Sequence, residues 1–100
     1  MMLMLWPQAL EQFSRTHPHL VVRVTFVGQG EIDTVIIYRG MASSLARSTP
    51  ADLNTPVIPA SAEFVSLDLL PAPYDPAKVL HTNLTWEQTR QMLRQAGIPV

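Results

Sequence analysis

Three histidines, two adjacent serines and two carboxylates spaced two apart are the side chains of this 100-residue chain whose types could do chemistry. His17 and His19 flank Pro18, and with His81 and an acid such as Asp75 they could ligate a metal. A histidine pair at a helix-to-strand corner has no diagnostic ligand spacing, so solvent-facing loop histidines are expected there. Ser43 and Ser44 follow Gly40 at a turn. A serine nucleophile needs a base within hydrogen-bond reach and an oxyanion hole, and GMASSLA has neither a Gly-x-Ser-x-Gly elbow nor a Ser-x-x-Lys pattern. Glu31 and Asp33 would share one face of a strand and could act as a carboxylate pair. At a strand start they read as solvent-exposed residues that protect a sheet edge.

Gly28-Gln29-Gly30 invites comparison with a phosphate-binding loop, but the dinucleotide fingerprint needs a third glycine where Asp33 stands, and a helix beginning there. The residues after Asp33 are β-branched and strand-like, so the glycines read as a hairpin turn with a three-residue loop or bulge. No cofactor is expected, and no catalytic residue is assigned.

These groups must be positioned by the elements around them, and the clearest pair is Leu20 to Tyr38. Val22, Val24 and Phe26 alternate with Arg23, Thr25 and Val27, the pattern of a strand with one buried side. After the turn, alternation gives way to Val35-Ile36-Ile37, an end buried on both faces. Ahead of the hairpin, Trp6, Leu10 and Phe13 recur at helical spacing, with Pro7 in the first turn and His17-Pro18 as the stop. FSRTHPHLVVRV resembles the opening helix-to-strand joint of periplasmic solute-binding proteins and of the effector domain of LysR-type regulators. The resemblance covers a dozen residues, the chain is too short for either two-lobed fold, and no family is inferred.

Arg39-Gly40 turns the chain into MASSLAR, read as a short helix, and Thr49-Pro50-Ala51-Asp52 and Asp75-Pro76-Ala77-Lys78 read as one-turn helix starts. Ala62 to Leu70 reads as a third strand with Val65, Leu67 and Leu69 on its apolar face. Thr85 with Gln88 forms a capping box for the last helix, and Gly97 suits its left-handed C′ position. The expected fold is therefore α+β: one domain over residues 1–100, with a small, mainly antiparallel three-stranded sheet and both terminal helices packed on it. The expected core is Trp6, Leu10, Phe13, Val22, Val24, Phe26, Val35, Ile37, Val65, Leu67, Trp86, Met92 and Leu93.

Apolar residues make up 47% of the chain and charged ones only 15%, below the usual quarter. A surface so poor in charge points to a covered face, so a homo-oligomer or a complex with another protein is expected. Net charge is −1, with no basic block, which speaks against nucleic acid. Cysteine is absent, excluding disulfides and thiolate chemistry. MMLMLW lacks a basic n-region and no apolar run approaches the roughly 20 residues of a bilayer span, so no membrane partner and a cytoplasmic location are expected.

The functional expectation is a small non-enzymatic protein–protein interaction or assembly module that self-associates. Ile36, Tyr38, Arg39, Arg90 and Arg94 are its candidate interaction residues. The alternative is a ligand-binding or catalytic pocket near Tyr38, Arg39 and the proline-rich segment. A third reading, nucleic-acid binding, requires Arg23, Arg39, Arg90 and Arg94 to be brought together.

Overall fold

The computed structural model describes residues 3–45 and 57–100. They form, in order, helix α1 (Trp6–Thr16), strands β1 (Leu20–Gly28), β2 (Glu31–Tyr38), β3 (Met41–Ser44), β4 (Glu63–Pro71) and β5 (His81–Leu84), and helix α2 (Trp86–Gln95). All strand pairs are antiparallel, in one sheet of order β3-β2-β1-β4-β5. The class is α+β, but the sheet has five strands rather than three. MASS is a strand instead of the expected helix, and HTNL adds the fifth. Thr49 to Asp52 lies outside the described residues. Asp75 to Lys78 forms a single turn, closed by the Lys78 N–H to the Asp75 carbonyl at 3.0 Å and the Ala77 N–H to Asp75 Oδ1 at 2.9 Å. Among the described residues no helix is long and apolar enough to cross a membrane.

Both helices lie on one face. Leu10 and Phe13 of α1 and Leu93 of α2 join Val22, Val24, Phe26, Val35, Ile37, Leu67 and Leu69 in one buried cluster, with Trp6, Trp86 and Met92 packed against it. The registers explain the set: Val24 pairs with Val35 and with Leu67, and Val22 with Ile37 and with Leu69, so apolar residues directly opposite share the helix side. Val65 is the correction to the expected core, at 49% exposure. Thr25 pairs with Ser66 but Phe26 with Phe64, so Val65 is the extra residue of a bulge. The bulge reverses the alternation and turns Phe64 toward the helices in its place.

Helix α2 begins with the full capping box: the Gln88 N–H donates to Thr85 Oγ1 at 3.2 Å and the Thr85 N–H to Gln88 Oε1 at 2.9 Å. It ends in a Schellman turn, with Gly97 at φ +83° and the N–H groups of Gly97 and Ile98 donating to the Arg94 and Leu93 carbonyls. Ile98, buried like Leu93, completes the motif's hydrophobic contact.

Both hairpins turn on two residues, so the first loop is shorter than the three expected. Gly28 pairs with Glu31 across Gln29-Gly30, and Tyr38 with Met41 across Arg39-Gly40. Both loop residues have positive φ in each turn, 54° and 78°, then 50° and 82°, which is type I′. Gly40 has a second constraint: a Cβ there would sit 2.5 Å from Arg15 Nε, and its N–H donates to Ser14 Oγ at 2.8 Å, docking the turn on α1. Gln29 and Arg39 occupy sites that favour asparagine. Gln29→Asn is expected to stabilise the fold by about 0.5–1 kcal/mol, raising Tm by about 3–5 °C in a thermal melt. Arg39→Asn should gain less, because it gives up the guanidinium lying 5.2 Å from the Tyr38 ring centroid.

Candidate functional site

The helix-free face of the sheet carries the alternate residues of each strand. Its registers set out rows across the strands: Met41 beside Tyr38; Ser43, Ile36, Arg23, Asp68; Thr34, Thr25, Ser66; and Ile32, Val27, Glu63. Val21 and Leu70, paired with each other, are buried on this same side. The apolar side chains therefore lie at the β2–β3 side and at two ends, around a polar centre.

That centre is the most organised polar cluster among the described residues. Arg23 Nε and Nη2 both reach Asp68 Oδ2, at 3.0 and 2.9 Å, and Nη1 donates to the Tyr74 hydroxyl at 3.2 Å. Asp68 Oδ1 accepts from Thr82 Oγ1 at 3.0 Å and from the Asn83 N–H at 2.8 Å. The Tyr74 hydroxyl, then Asp68, keep Arg23 still more firmly charged than usual against the cost of burial. Burial pushes the Asp68 carboxyl up, but the Asn83 N–H, Arg23 and Thr82 outweigh it and hold it below the ordinary carboxylate range. Two strands place the ion pair, β5 completes it, and the loop before β5 brings Tyr74 over it. Each oxygen of the carboxylate is already engaged, so the cluster is built to hold structure rather than to exchange protons.

The expected candidates separate. Ile36 and Tyr38 lie half-buried on the open face and Arg39 at the adjoining turn. Arg90 and Arg94 lie on α2, on the other side of the sheet, where their Nε groups reach the Val100 carbonyl at 3.4 and 3.1 Å. They hold the tail against the helix, in place of the Glu87–Arg90 pairing that their spacing suggests. With Arg23 neutralised by Asp68, the four arginines of the nucleic-acid reading form no common stripe.

The other chemistry-bearing residues are drawn into the fold. Asp33, expected in solvent, is 5% exposed on the helix side of the sheet, where it accepts from the Thr34 N–H at 2.8 Å and from Ser44 Oγ at 3.3 Å. Its register opposite Phe26 puts it on the helix face, which alternation alone leaves undecided at a strand start. His17 stacks on Phe13, ring centroids 4.0 Å apart, and its Nδ1 lies 2.9 Å from the Phe13 carbonyl. His17 and His19 ring centroids are 6.0 Å apart. Among the described residues no three His, Cys, Asp or Glu side chains are grouped to hold a metal.

A shallow cleft of about 310 Å³ opens between the ends of the two helices, lined by Phe13, His17, Leu20, Leu69, Met92 and Gln95. It is on the helix side, whereas Tyr38 is on the open face. Its lining contains one imidazole and no carboxylate or cation, so it offers no acid–base pair.

Sequence reasoning missed Asp68, Tyr74 and the β3 edge. The opposite charges at Arg23 and Asp68, each mid-strand among apolar alternation, were the available signal for the ion pair. Comparison with curated proteins and with solved structures finds no match. A family model described as a domain of unknown function, DUF7734, matches residues 7–93, from the first turn of α1 to the buried Leu93 of α2. The chain belongs to that family.

Proposed function

We propose that this chain is a non-enzymatic assembly module that associates with itself through the β2–β3 side of its open sheet face. The observation that carries the reading is the exposure of Ile32 and Met41, 72% and 75%, the highest among large apolar residues described. Tyr38 shares Met41's row and Ile36 lies in the next, each half-buried, with the Thr34 row between Ile36 and Ile32. Scattered apolar residues are ordinary on a surface, but several neighbouring ones on one side of a sheet mark a contact. Charge favours a second copy over a strongly charged partner: the central cation and anion neutralise each other, so neither sign dominates the face and two copies approach without like-charge repulsion. A cytoplasmic location is part of the same proposal.

Sedimentation of the whole chain across a wide concentration range tests this. A shift from 11.2 kDa toward twice that mass is expected, and Ile36→Thr/Met41→Thr should weaken it about tenfold while the fold is kept. A species of 11.2 kDa at every concentration would sink self-association.

A further inference from the structure

We infer that two copies join edge to edge, each adding its β3 antiparallel to the other's about a two-fold axis, so that the two sheets become one. This rests on the self-association just proposed and specifies how it happens. The backbone of β3 supplies the donors. In a two-residue type I′ hairpin the flanking residues, Tyr38 and Met41, exchange hydrogen bonds, and pairs then alternate. The Leu45 N–H donating to the Thr34 carbonyl at 3.0 Å, four pairs further on, keeps that alternation. Ala42, opposite Ile37, therefore falls at a non-bonded position. Its N–H and C=O point away from β2, out of the sheet.

The two edges of the sheet differ in the way that selects this one. At β5 the ladder shifts register between Leu67 and Leu69, Asn83 is left-handed at φ 55°, and the Asn83 N–H turns inward to Asp68. Bulges and broken ladders are how sheets close an edge to strangers. The β3 residues Met41, Ala42 and Ser43 carry no charge, no proline and no bulge. Among the described residues only the shortness of the strand, four residues, protects this edge.

Stacking face on face is the competing arrangement, and the centre of the face opposes it. It would take the Arg23–Asp68 pair, side chains 19% and 14% exposed, fully out of water without giving it a new partner. Tyr74, bonded to Arg23 and 37% exposed, also stands over that centre. Edge pairing leaves both in place.

The register that sets Ala42 opposite Ala42 of the second copy exchanges two backbone hydrogen bonds and puts each Met41 beside the other copy's Ser43. On the open face this gives two symmetric stripes, each running Tyr38, Met41, then Ser43 and Ile36 of the second copy. Met41, exposed in the single chain and flanked there by Tyr38, is covered on its outer side by Ser43 of the second copy, with Ile36 of that copy next in the row. The two Arg39 residues end on the order of 20 Å apart along the strands, more than twice the Debye length of about 8 Å at physiological salt. A parallel arrangement would bring them together. A contact this short falls below the roughly 1,000 Å² of a stable interface, so a dissociation constant on the order of tens of micromolar is expected.

The test combines sedimentation with amide exchange read by NMR on the whole chain. Exchange at the Ala42 N–H should slow about tenfold or more from dilute to concentrated protein as the dimer forms. Ala42→Pro removes that donor without removing a bond to β2, a position where an edge strand tolerates proline, and should leave a folded chain of 11.2 kDa. A dimer whose Ala42 amide exchanges as fast as in the monomer, or that persists in Ala42→Pro, overturns edge pairing and leaves self-association standing. An 11.2 kDa species throughout overturns both. Should Ala42→Pro fail to fold, exchange in the unaltered chain decides alone.

Discussion

Replacing Phe26 with alanine is expected to cost about 3–4 kcal/mol, a large share of the roughly 5–15 kcal/mol that holds a domain of this size together. Phe26 is 1% exposed on β1, the middle strand of five. Its ring centroid lies 6.0 Å from that of Trp6, Trp6 meets Phe64 edge-on at 5.6 Å, and Phe64 lies 5.4 Å from Trp86. This run of four rings ties α1, β1, β4 and α2 to one another. Trp6 is fixed at its far end by donating Nε1–H to the Ala62 carbonyl at 3.2 Å, so it cannot slide to fill a vacancy without losing that bond. The cavity would therefore stay largely open, and the cavity cost should add to the transfer cost of the lost ring. Urea unfolding followed by tryptophan fluorescence reads it directly: the midpoint should fall with the slope unchanged. Ile36→Ala, on the half-buried open face, should cost no more than about 1 kcal/mol. If the two truncations cost the same, the core is not where the aromatic run places it.

The contrast between Phe26 and Val65 shows how far the sequence could be read. Where a strand is regular and long enough for several alternations, as in Val22 to Phe26, the pattern names the buried face correctly. Both helices are legible too, because Pro7, the Thr85–Gln88 box and Gly97 act locally and need no knowledge of the fold. Val65 misleads because a bulge is defined by its partner strand: only the pairing of β4 with β1 shows the extra residue. Met41 to Ser44 and His81 to Leu84 are four residues each, too short for a period to emerge. MASS holds no β-branched residue, so nothing local marks it as a strand, and it forms because a type I′ turn returns the chain beside β2. The candidate surface was legible in part. Ile36 and Tyr38 follow from an apolar run longer than one face can use, whereas Arg90 and Arg94 look available until the Val100 carbonyl is seen between them.

Asp68→Ala is expected to cost about 2–3 kcal/mol, most of it from what is left behind rather than from what is lost. Removing the carboxylate leaves the Arg23 guanidinium, 19% exposed, without its anion, whereas the Asn83 N–H and the Thr82 hydroxyl, both on exposed residues, can turn to water. If the unpaired cation carries the cost, replacing both charges should cost less than replacing one. Arg23→Met/Asp68→Leu keeps similar volumes on a face where Val21 and Leu70 are already buried, and should recover at least half of the single-variant loss. Acid gives an independent check. Because the folded chain holds the Asp68 carboxyl below its ordinary value, the unfolded chain takes up that proton first as pH falls. The stabilisation is therefore complete above the unfolded value near 4, and is lost as pH falls through the lower folded value. Asp68→Asn should flatten the fall of stability below about pH 4, measured by urea midpoints at a series of pH values. An unchanged acid slope would mean that Asp68 has the same proton affinity folded and unfolded, and that the ion pair is held in place by the sheet without helping to hold the sheet.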